Sequence, residues 1–138
     1  MKTVIIDTNI VFASLRAKST TLRDKILSNK FRFYAPKFLF VEIFKHKERI
    51  LKNTSASEED TLEFLSSLLH HINFINEDII PTETYLQAYQ FCKDVDENDT
   101  VFIALSLLLN CPLWTRDENL KKGLQAKGFN NFQDEATI

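Results

Sequence analysis

The sequence is poor in the residues that interrupt regular structure. It has only two glycines and three prolines in 138 residues. Tight β-hairpins depend on residues that tolerate positive φ, glycine above all, so few such hairpins are expected. Together with long stretches of helical periodicity, this scarcity argues against an all-β fold. Apolar residues make up 44% of the chain and charged residues 26%, which is typical of an ordered globular protein.

Cysteine is scarce too, and no segment is long enough to span a membrane. Cys92 and Cys111 lack the spacing of metal ligands and do not make a disulfide framework, so we expect buried free thiols. The longest apolar run, residues 101–109, is well short of the roughly 20 residues that cross a bilayer. Residues 1–2 lead directly into a predicted strand, which leaves no room for a signal peptide. We expect a cytoplasmic protein.

A basic excess is also missing. The net charge is −2, so no global positive field would attract nucleic acid. Binding to nucleic acid would depend on metal ions or on local basic patches. Two predicted helices carry such patches, and each is equally well read as a solvated helix face. The first patch comprises Lys45, His46, Lys47, Arg49 and Lys52, and the second comprises Lys121, Lys122 and Lys127.

The chain begins with a strand that ends in an acid. Residues 3–9 read T-V-I-I-D-T-N, in which four residues of high β propensity lead directly to Asp7. A short apolar run of this kind predicts a buried central strand. Ligands of open α/β sheets bind at the carboxyl ends of the strands, where Asp7 would lie. The alternative is that Asp7 caps the following helix.

Strand and helix patterns alternate along the rest of the chain, without a linker or an internal repeat. Further strands are predicted at residues 31–35, 74–75, 112–115 and 129–133. Helical periodicity fills the segments between them, which predicts one α/β domain with a parallel sheet. Residues 112–115 resemble the first strand, because Asp117 and another helix follow closely. If the two strands are neighbours, Asp7 and Asp117 lie close together at one edge of the sheet.

Two other acids are placed to reach the same edge. Glu42 lies early in a helix among apolar residues, which indicates either a snorkelling surface group or a buried carboxylate with a partner. Asp99 precedes a helix that is apolar nearly all round and is therefore predicted to be buried. We predict that these two acids join Asp7 and Asp117, although each acid could alternatively cap its own helix.

Four carboxylates at one place repel one another and raise one another's pKa values. A divalent cation removes this repulsion, and a ligand set made only of oxygen favours Mg²⁺ or Mn²⁺ over Zn²⁺. A carboxylate-bound ion of this kind lowers the pKa of a water and stabilises charge on a phosphate. The acidic cluster is therefore suited to phosphodiester hydrolysis.

Four separate stretches together resemble the PIN domain family. They are I-I-D-T-N-I at residues 5–10, V-E-I at 41–43, D-T-V-F-I-A-L-S-L-L-L-N-C-P-L-W-T-R-D at 99–117, and G-F-N-N-F at 128–132. The motifs cover the whole chain in the family's order, and the length is similar to that of VapC-type toxins and their single-domain relatives. The resemblance implies one PIN-like domain over residues 1–138. It also implies a three-layer sandwich in which helices flank a central parallel sheet of about five strands.

The resemblance assigns roles to individual residues. Those that resemble the family's catalytic and metal-binding acids are Asp7, Glu42, Asp99 and Asp117. Asp96, one helical turn before Asp99, is a competing or additional metal ligand. Thr115 resembles a hydroxyl that can bond a metal-bound water, and Asn9 resembles a polar residue that orients the first acid. Thr8 is interpreted as a capping residue, and Arg116 is left out of the site.

The resulting hypothesis is a Mg²⁺- or Mn²⁺-dependent endoribonuclease in which a metal-bound water attacks the RNA phosphodiester. The resemblance also implies a homodimer and, for a toxin of a type II toxin–antitoxin pair, a small antitoxin partner. One alternative is a phosphatase or phosphotransferase with Asp7 as nucleophile, although Asn9 stands where a second acid would be expected. Another is a non-catalytic acidic module that binds metal and a partner.

Overall fold

The protein alternates strands and helices, as seen in a computed structural model that describes residues 2–16, 21–54 and 56–138. The strands are β1 Lys2–Ile6, β2 Phe31–Pro36, β3 Ile72–Ile75 and β4 Leu113–Trp114. The helices are α1 Thr8–Arg16, α2 Thr21–Leu27, α3 Lys37–Asn53, α4 Glu58–His71, α5 Thr82–Cys92, α6 Thr100–Leu109 and α7 Glu118–Ala126. Short 3₁₀ turns cover Glu77–Ile79, Glu97–Asp99 and Glu135–Thr137.

The four strands form one parallel sheet in the order β3-β2-β1-β4. The α/β class and the central place of β1 are as the sequence predicts, and β1 pairs with β4 through Ile5 opposite Leu113. The sheet described has four strands, fewer than the five expected. The segment predicted as the last strand makes only an isolated parallel bridge, between Leu113 and Phe132. Because β4 is two residues long, it offers little backbone for a longer ladder.

The core lies on both faces of β1 and around α6. Val4, Ile5 and Ile6 are completely buried, as expected for a short apolar strand between two parallel neighbours. Each such side chain contributes about 1.5–3 kcal/mol when it leaves water. Helix α6 packs on β1, β2, β4 and α5 and buries five consecutive residues, so it is the buried helix that its sequence predicts. This packing fixes the strand end from which Asp7 emerges.

The turn after α6 leads into β4, whose carboxyl end lies beside the carboxyl end of β1. Asn110 ends the helix in the left-handed conformation, with φ of 52°, which asparagine tolerates better than most residues. The chain then enters β4 and reaches residues 115–117 beside β1.

Cys92 is buried and Cys111 is half-buried, and both are free thiols. Of the described helices, none combines the length and the apolar character required to cross a bilayer.

Candidate active site

Asp7 is held at the junction of β1 and α1. Its backbone N–H donates to the carbonyl of Trp114 at 3.1 Å, which ties it to the end of β4. The Thr115 hydroxyl donates to Asp7 Oδ2 at 2.6 Å, and the Thr8 backbone N–H donates to Oδ1 at 2.7 Å. Asp7 is only 3% exposed. Both carboxylate oxygens are therefore oriented, and each keeps a lone pair for a further partner.

The Thr115 hydroxyl connects two further groups to Asp7. It accepts from Asn9 Nδ2 at 3.3 Å and from the backbone N–H of Asp117 at 3.2 Å. Asn9 also accepts from the Arg116 backbone N–H through Oδ1, at 3.4 Å. Asn9 therefore acts on Asp7 through Thr115. The sequence interpretation had Asn9 orient the acid itself.

Glu42 comes from α3 and meets the site through Thr8. The Thr8 hydroxyl donates to Glu42 Oε1 at 2.8 Å across 34 positions of sequence. Thr8 is the first residue of α1, and its hydroxyl is engaged by this carboxylate. The interpretation of Thr8 as a capping residue therefore misses its contact with Glu42.

All five acids predicted from the sequence line one open cleft of about 260 Å³ at the carboxyl edge of the sheet. The cleft is lined by Asp7, Thr8, Asn9, Phe12, Glu42, Asp96, Asn98, Asp99 and Asp117. Sequence reasoning did not single out Phe12 and Asn98. Phe12 has the helical spacing of a core residue, and its ring also packs edge-on against His46 at 5.8 Å between centroids. A second cleft beside the first shares Asp96 and Asp117 with it.

Burial and neighbouring charges raise the pKa values of two acids in the cleft, Asp7 and Asp99. Burial raises the pKa of Asp7 to about 6, against the opposing hydrogen bonds from Thr115 and Thr8. Burial also raises the pKa of Asp99 to about 8, and the charges of Asp7, Asp96, Asp117 and Glu42 add to this effect. A group whose pKa is raised by its neighbours lies within reach of their charge. The cleft is therefore a concentration of negative charge that a cation would relieve.

Helix capping accounts for only part of this cluster. Asp117 Oδ1 accepts from the Leu120 N–H at 3.0 Å and caps α7, and Asp96 Oδ1 accepts from the Asn98 N–H at 3.0 Å. Asp99 is the N-cap residue of α6, but its side chain makes no capping hydrogen bond. Its half-buried carboxylate gains no capping hydrogen bond from the helix to offset the loss of water. The capping alternative therefore leaves Asp99 unexplained.

The donor set fits a hydrated divalent cation. In the part of the chain that the structure describes, no three His, Cys, Asp or Glu side chains are close enough to form a ready-made metal cage. Mg²⁺ rarely needs one, since it keeps several waters and binds through one or two carboxylates and a substrate phosphate. The carboxylates of the cleft supply oxygen ligands, and two of them, Asp7 and Asp99, are desolvated and lie near other negative charges. These properties suit a hard cation that retains part of its water.

Arg116 lies next to the site but faces another partner. Its guanidinium makes a bidentate ion pair with Glu135, with Nε to Oε1 at 2.7 Å and Nη2 to Oε2 at 2.9 Å. Trp114 Nε1 donates to the same Glu135 at 3.1 Å. Both of these contacts of the Glu135 side chain are therefore with the end of β4. The arginine fastens residues 135–137 to the end of β4.

The fold and the site are those of an α/β protein with a cluster of acids at the carboxyl edge of a parallel sheet. A sequence model of the PIN domain matches residues 5–137, and the chain belongs to the PIN domain family. The members of this family are nucleases. None of the curated proteins matches the sequence.

One solved structure with the same fold is VapBC2 from Rickettsia felis bound to a DNA fragment from their promoter. It superposes with a TM-score of 0.65 and is 14% identical, over 87% of this chain and 92% of that chain.

Proposed function

We propose that the protein is a divalent-metal-dependent endoribonuclease. The observation that carries the proposal is the convergence of the predicted acids on one cleft, where burial and mutual charge raise the pKa values of Asp7 and Asp99. The residues that would hold Mg²⁺ or Mn²⁺ are Asp7, Glu42, Asp99 and Asp117, with Asp96 as an additional ligand. When bound, the ion supplies an activated water and stabilises negative charge on the phosphate.

The surrounding residues prepare the acids for this task. Thr115 and Thr8 orient the two oxygens of Asp7, so little rearrangement is needed when a ligand arrives. Burial and the neighbouring charges raise the pKa of Asp99 to about 8, so a bound cation would favour release of its proton. The Asp117 carboxylate caps α7 through Oδ1, which holds it at the edge of the cleft.

The basic patch on α3 is the better candidate for the path of the RNA. Lys45, Arg49 and Lys52 are exposed and, among the described residues, have no ion-pair partner. By contrast, Lys121 on α7 pairs with Glu118 at 3.4 Å, and Lys127, which follows α7, pairs with Asp94 at 3.1 Å. Because α3 also carries Glu42, phosphates held along this helix would lead into the cleft.

We further propose that the protein is a single PIN-like domain over residues 1–138, acting in the cytoplasm as the toxin of a type II toxin–antitoxin pair. The solved neighbour is a VapBC complex, which supports an antitoxin partner. Exposed apolar side chains on α3 support a protein partner or a second copy of the chain: Phe38, Phe40, Val41 and Phe44. Light scattering tests the homodimer, and co-expression with the product of an adjacent small gene tests the antitoxin.

The deciding experiment measures cleavage of a mixed pool of structured and single-stranded RNAs. The protein is assayed with Mn²⁺, with Mg²⁺ and with EDTA, beside Asp7→Asn and a matched control, Asp24→Asn, which changes an exposed acid on α2. We expect metal-dependent cuts by the wild type and by Asp24→Asn, and none by Asp7→Asn. Equal cutting by all three proteins would reveal a contaminant and contradict the proposal.

Two other outcomes would replace the proposal with another function. Covalent trapping of a phosphorylated aspartate on Asp7 would show the aspartyl-nucleophile phosphatase. The protein could instead bind metal but cleave no RNA, either in the pool or in transcriptome-wide mapping after expression. That result would show the non-catalytic module. Assay of DNA in the same buffer tests the sugar preference, since an activated water attacks phosphorus without help from a 2′-hydroxyl.

A further inference from the structure

Thr8 contacts two acids of the cleft that come from different parts of the chain. Its backbone N–H donates to Asp7 Oδ1 at 2.7 Å, and its hydroxyl donates to Glu42 Oε1 at 2.8 Å. Asp7 ends the central strand, whereas Glu42 lies on α3. One threonine therefore sets the position of one carboxylate relative to the other.

Glu42 depends on this contact more than Asp7 does. Asp7 receives hydrogen bonds on both oxygens, from Thr115 and from Thr8. For Glu42, the Thr8 hydroxyl is the one hydrogen-bond donor found among residues 2–16, 21–54 and 56–138. A half-buried glutamate has three side-chain torsions, and fixing them costs conformational entropy. The bond to Thr8 restricts those torsions before any ligand arrives.

The hydroxyl of Thr8 is itself well fixed. Thr8 is the first residue of α1, and the β-branched side chain of a helical threonine has few accessible χ1 rotamers. Its contact occupies Oε1 of Glu42 and leaves Oε2 without a hydrogen-bonding partner in the described segments. One oxygen of Glu42 is thus used for orientation, and the other stays free to bind a cation.

We propose that Thr8 is a positioning residue that holds Glu42 in place to share a divalent cation with Asp7. The proposal rests on the proposed metal-dependent function, but it concerns the residue that sets the geometry of the ligands. Residues that orient metal ligands through hydrogen bonds typically change metal affinity or activity by about 10- to 100-fold when they are replaced. Thr8 acts through Glu42 and would not itself touch the substrate.

The test compares two substitutions of Thr8 with a matched threonine elsewhere. Thr8→Val keeps the shape and removes the donor, whereas Thr8→Ser keeps the donor. Thr61→Val is the control, because Thr61 is equally helical, is buried, and donates to the Ser57 carbonyl at 2.9 Å, away from the cleft. Mn²⁺ binding is measured by calorimetry on metal-free protein, and thermal unfolding is recorded for all variants.

We expect Thr8→Val to weaken Mn²⁺ binding by about 10- to 100-fold, and Thr8→Ser to restore most of the affinity. Thr61→Val should lower the melting temperature and leave Mn²⁺ affinity unchanged. In a Glu42→Gln background, Thr8→Val should cause little further loss of Mn²⁺ affinity, because the effects of two residues that act as a unit do not add. RNA cleavage by Thr8→Val should recover as the Mn²⁺ concentration is raised.

Wild-type affinity in Thr8→Val, or an equally weak Thr8→Ser, would overturn the positioning role. An additive loss in the Glu42→Gln background would do the same. These failures leave the nuclease proposal intact if the wild type cuts RNA. Conversely, if Mn²⁺ affinity depends on Thr8 as expected but the wild type cuts no RNA, the nuclease proposal alone is refuted. A wild type that binds no Mn²⁺ refutes both.

Discussion

The hydroxyl of Thr115 donates a 2.6 Å hydrogen bond to Oδ2 of Asp7, which precedes it by 108 positions. The bond joins the ends of two neighbouring parallel strands, and it is buried. Because the hydroxyl also accepts from Asn9 and from the Asp117 N–H, it determines how Asp7 and Asp117, the first and last acids of the cleft, face each other.

Thr115→Val should impair both stability and activity. Valine has the shape of threonine but leaves the buried Asp7 oxygen and two donors without their partner, which costs about 1–3 kcal/mol in the free energy of unfolding. Cleavage of RNA should fall by about 10- to 100-fold, whereas Thr115→Ser should retain most of it. Urea denaturation and RNA cleavage assays measure the two effects. Full cleavage by Thr115→Val would show that this hydroxyl is dispensable.

The metal-free protein should lose stability as the pH rises. The pKa values of Asp7 and Asp99 are about 6 and about 8 in the folded protein, above their ordinary value of 3.8. At a pH between the ordinary pKa of 3.8 and the raised pKa of each group, the folded state holds a proton that the unfolded state has released. The free energy of unfolding therefore decreases with pH, by at most about 1.4 kcal/mol per pH unit for one group. The stabilisation is complete below the ordinary pKa and is lost as pH passes the raised value.

The measurement is urea denaturation in EDTA between about pH 5 and about pH 8, on the wild type and on Asp99→Asn. The variant should lack the decrease at the upper end of this range, because its amide does not titrate. Mn²⁺ should restore stability most at the highest pH, where the carboxylates are ionised. Glu135 does not interfere, since the Arg116 hydrogen bond lowers its pKa. If the free energy of unfolding depends on pH in the same way in both proteins, Asp99 is not the group that causes the decrease.

Removal of Glu135 should cost more stability than removal of its ion-pair partner. Glu135→Ala leaves the buried Trp114 Nε1 without its acceptor, a loss of about 1–3 kcal/mol. Arg116→Ala removes only an ion pair between side chains that are 46% and 35% exposed, which water and salt screen to under about 1 kcal/mol. Chemical denaturation of both variants shows which substitution lowers the free energy of unfolding more. Equal losses would mean that the ion pair, and not the tryptophan bond, carries the effect.

Gly123 should resist substitution because of Val95. A Cβ at position 123 would lie 2.7 Å from Val95 Cγ1 and 2.9 Å from Cγ2, and the branched valine has little freedom to move. The strain of about 1–3 kcal/mol should exceed the roughly 1 kcal/mol that alanine gains over glycine inside a helix. Gly123→Ala should therefore destabilise the protein in thermal unfolding.

Val95→Ala removes the obstructing atoms and serves as the partner in a double-mutant cycle. Gly123→Ala combined with Val95→Ala should be more stable than the sum of the two single effects predicts, because the clash exists only when both side chains are present. Additive losses in the double variant would show that another contact restricts position 123.

The sequence predicted the fold class and the meeting of Asp7 and Asp117, because both depend on local patterns. An apolar strand followed by an acid and a helix occurs twice, and parallel strands end at one edge of the sheet. Glu42 was recognisable as an acid among apolar neighbours. The roles of these residues in catalysis and metal binding stay predictions.

Other features depend on tertiary geometry that no local pattern contains. The contact of Thr8 with Glu42 requires the rotation of α3 about its axis relative to β1, across 34 positions. The strand expected at residues 129–133 is only a bridge, because its partner β4 has two residues. The apolar pattern of residues 129–133 alone does not reveal the length of the partner strand. The pair of Arg116 and Glu135 is equally a product of how the chain packs.

The pairing of β1 with β4 has a consequence for the time at which the protein becomes active. During translation Asp7 and Glu42 leave the ribosome long before Asp99, Thr115 and Asp117. Strand β1 cannot gain its second neighbour until β4 has been made, since Ile6 pairs with Trp114. A nascent chain therefore has no complete acidic cleft. We therefore expect the proposed nuclease activity to appear only after residues 113–117 have been made and β4 has paired with β1.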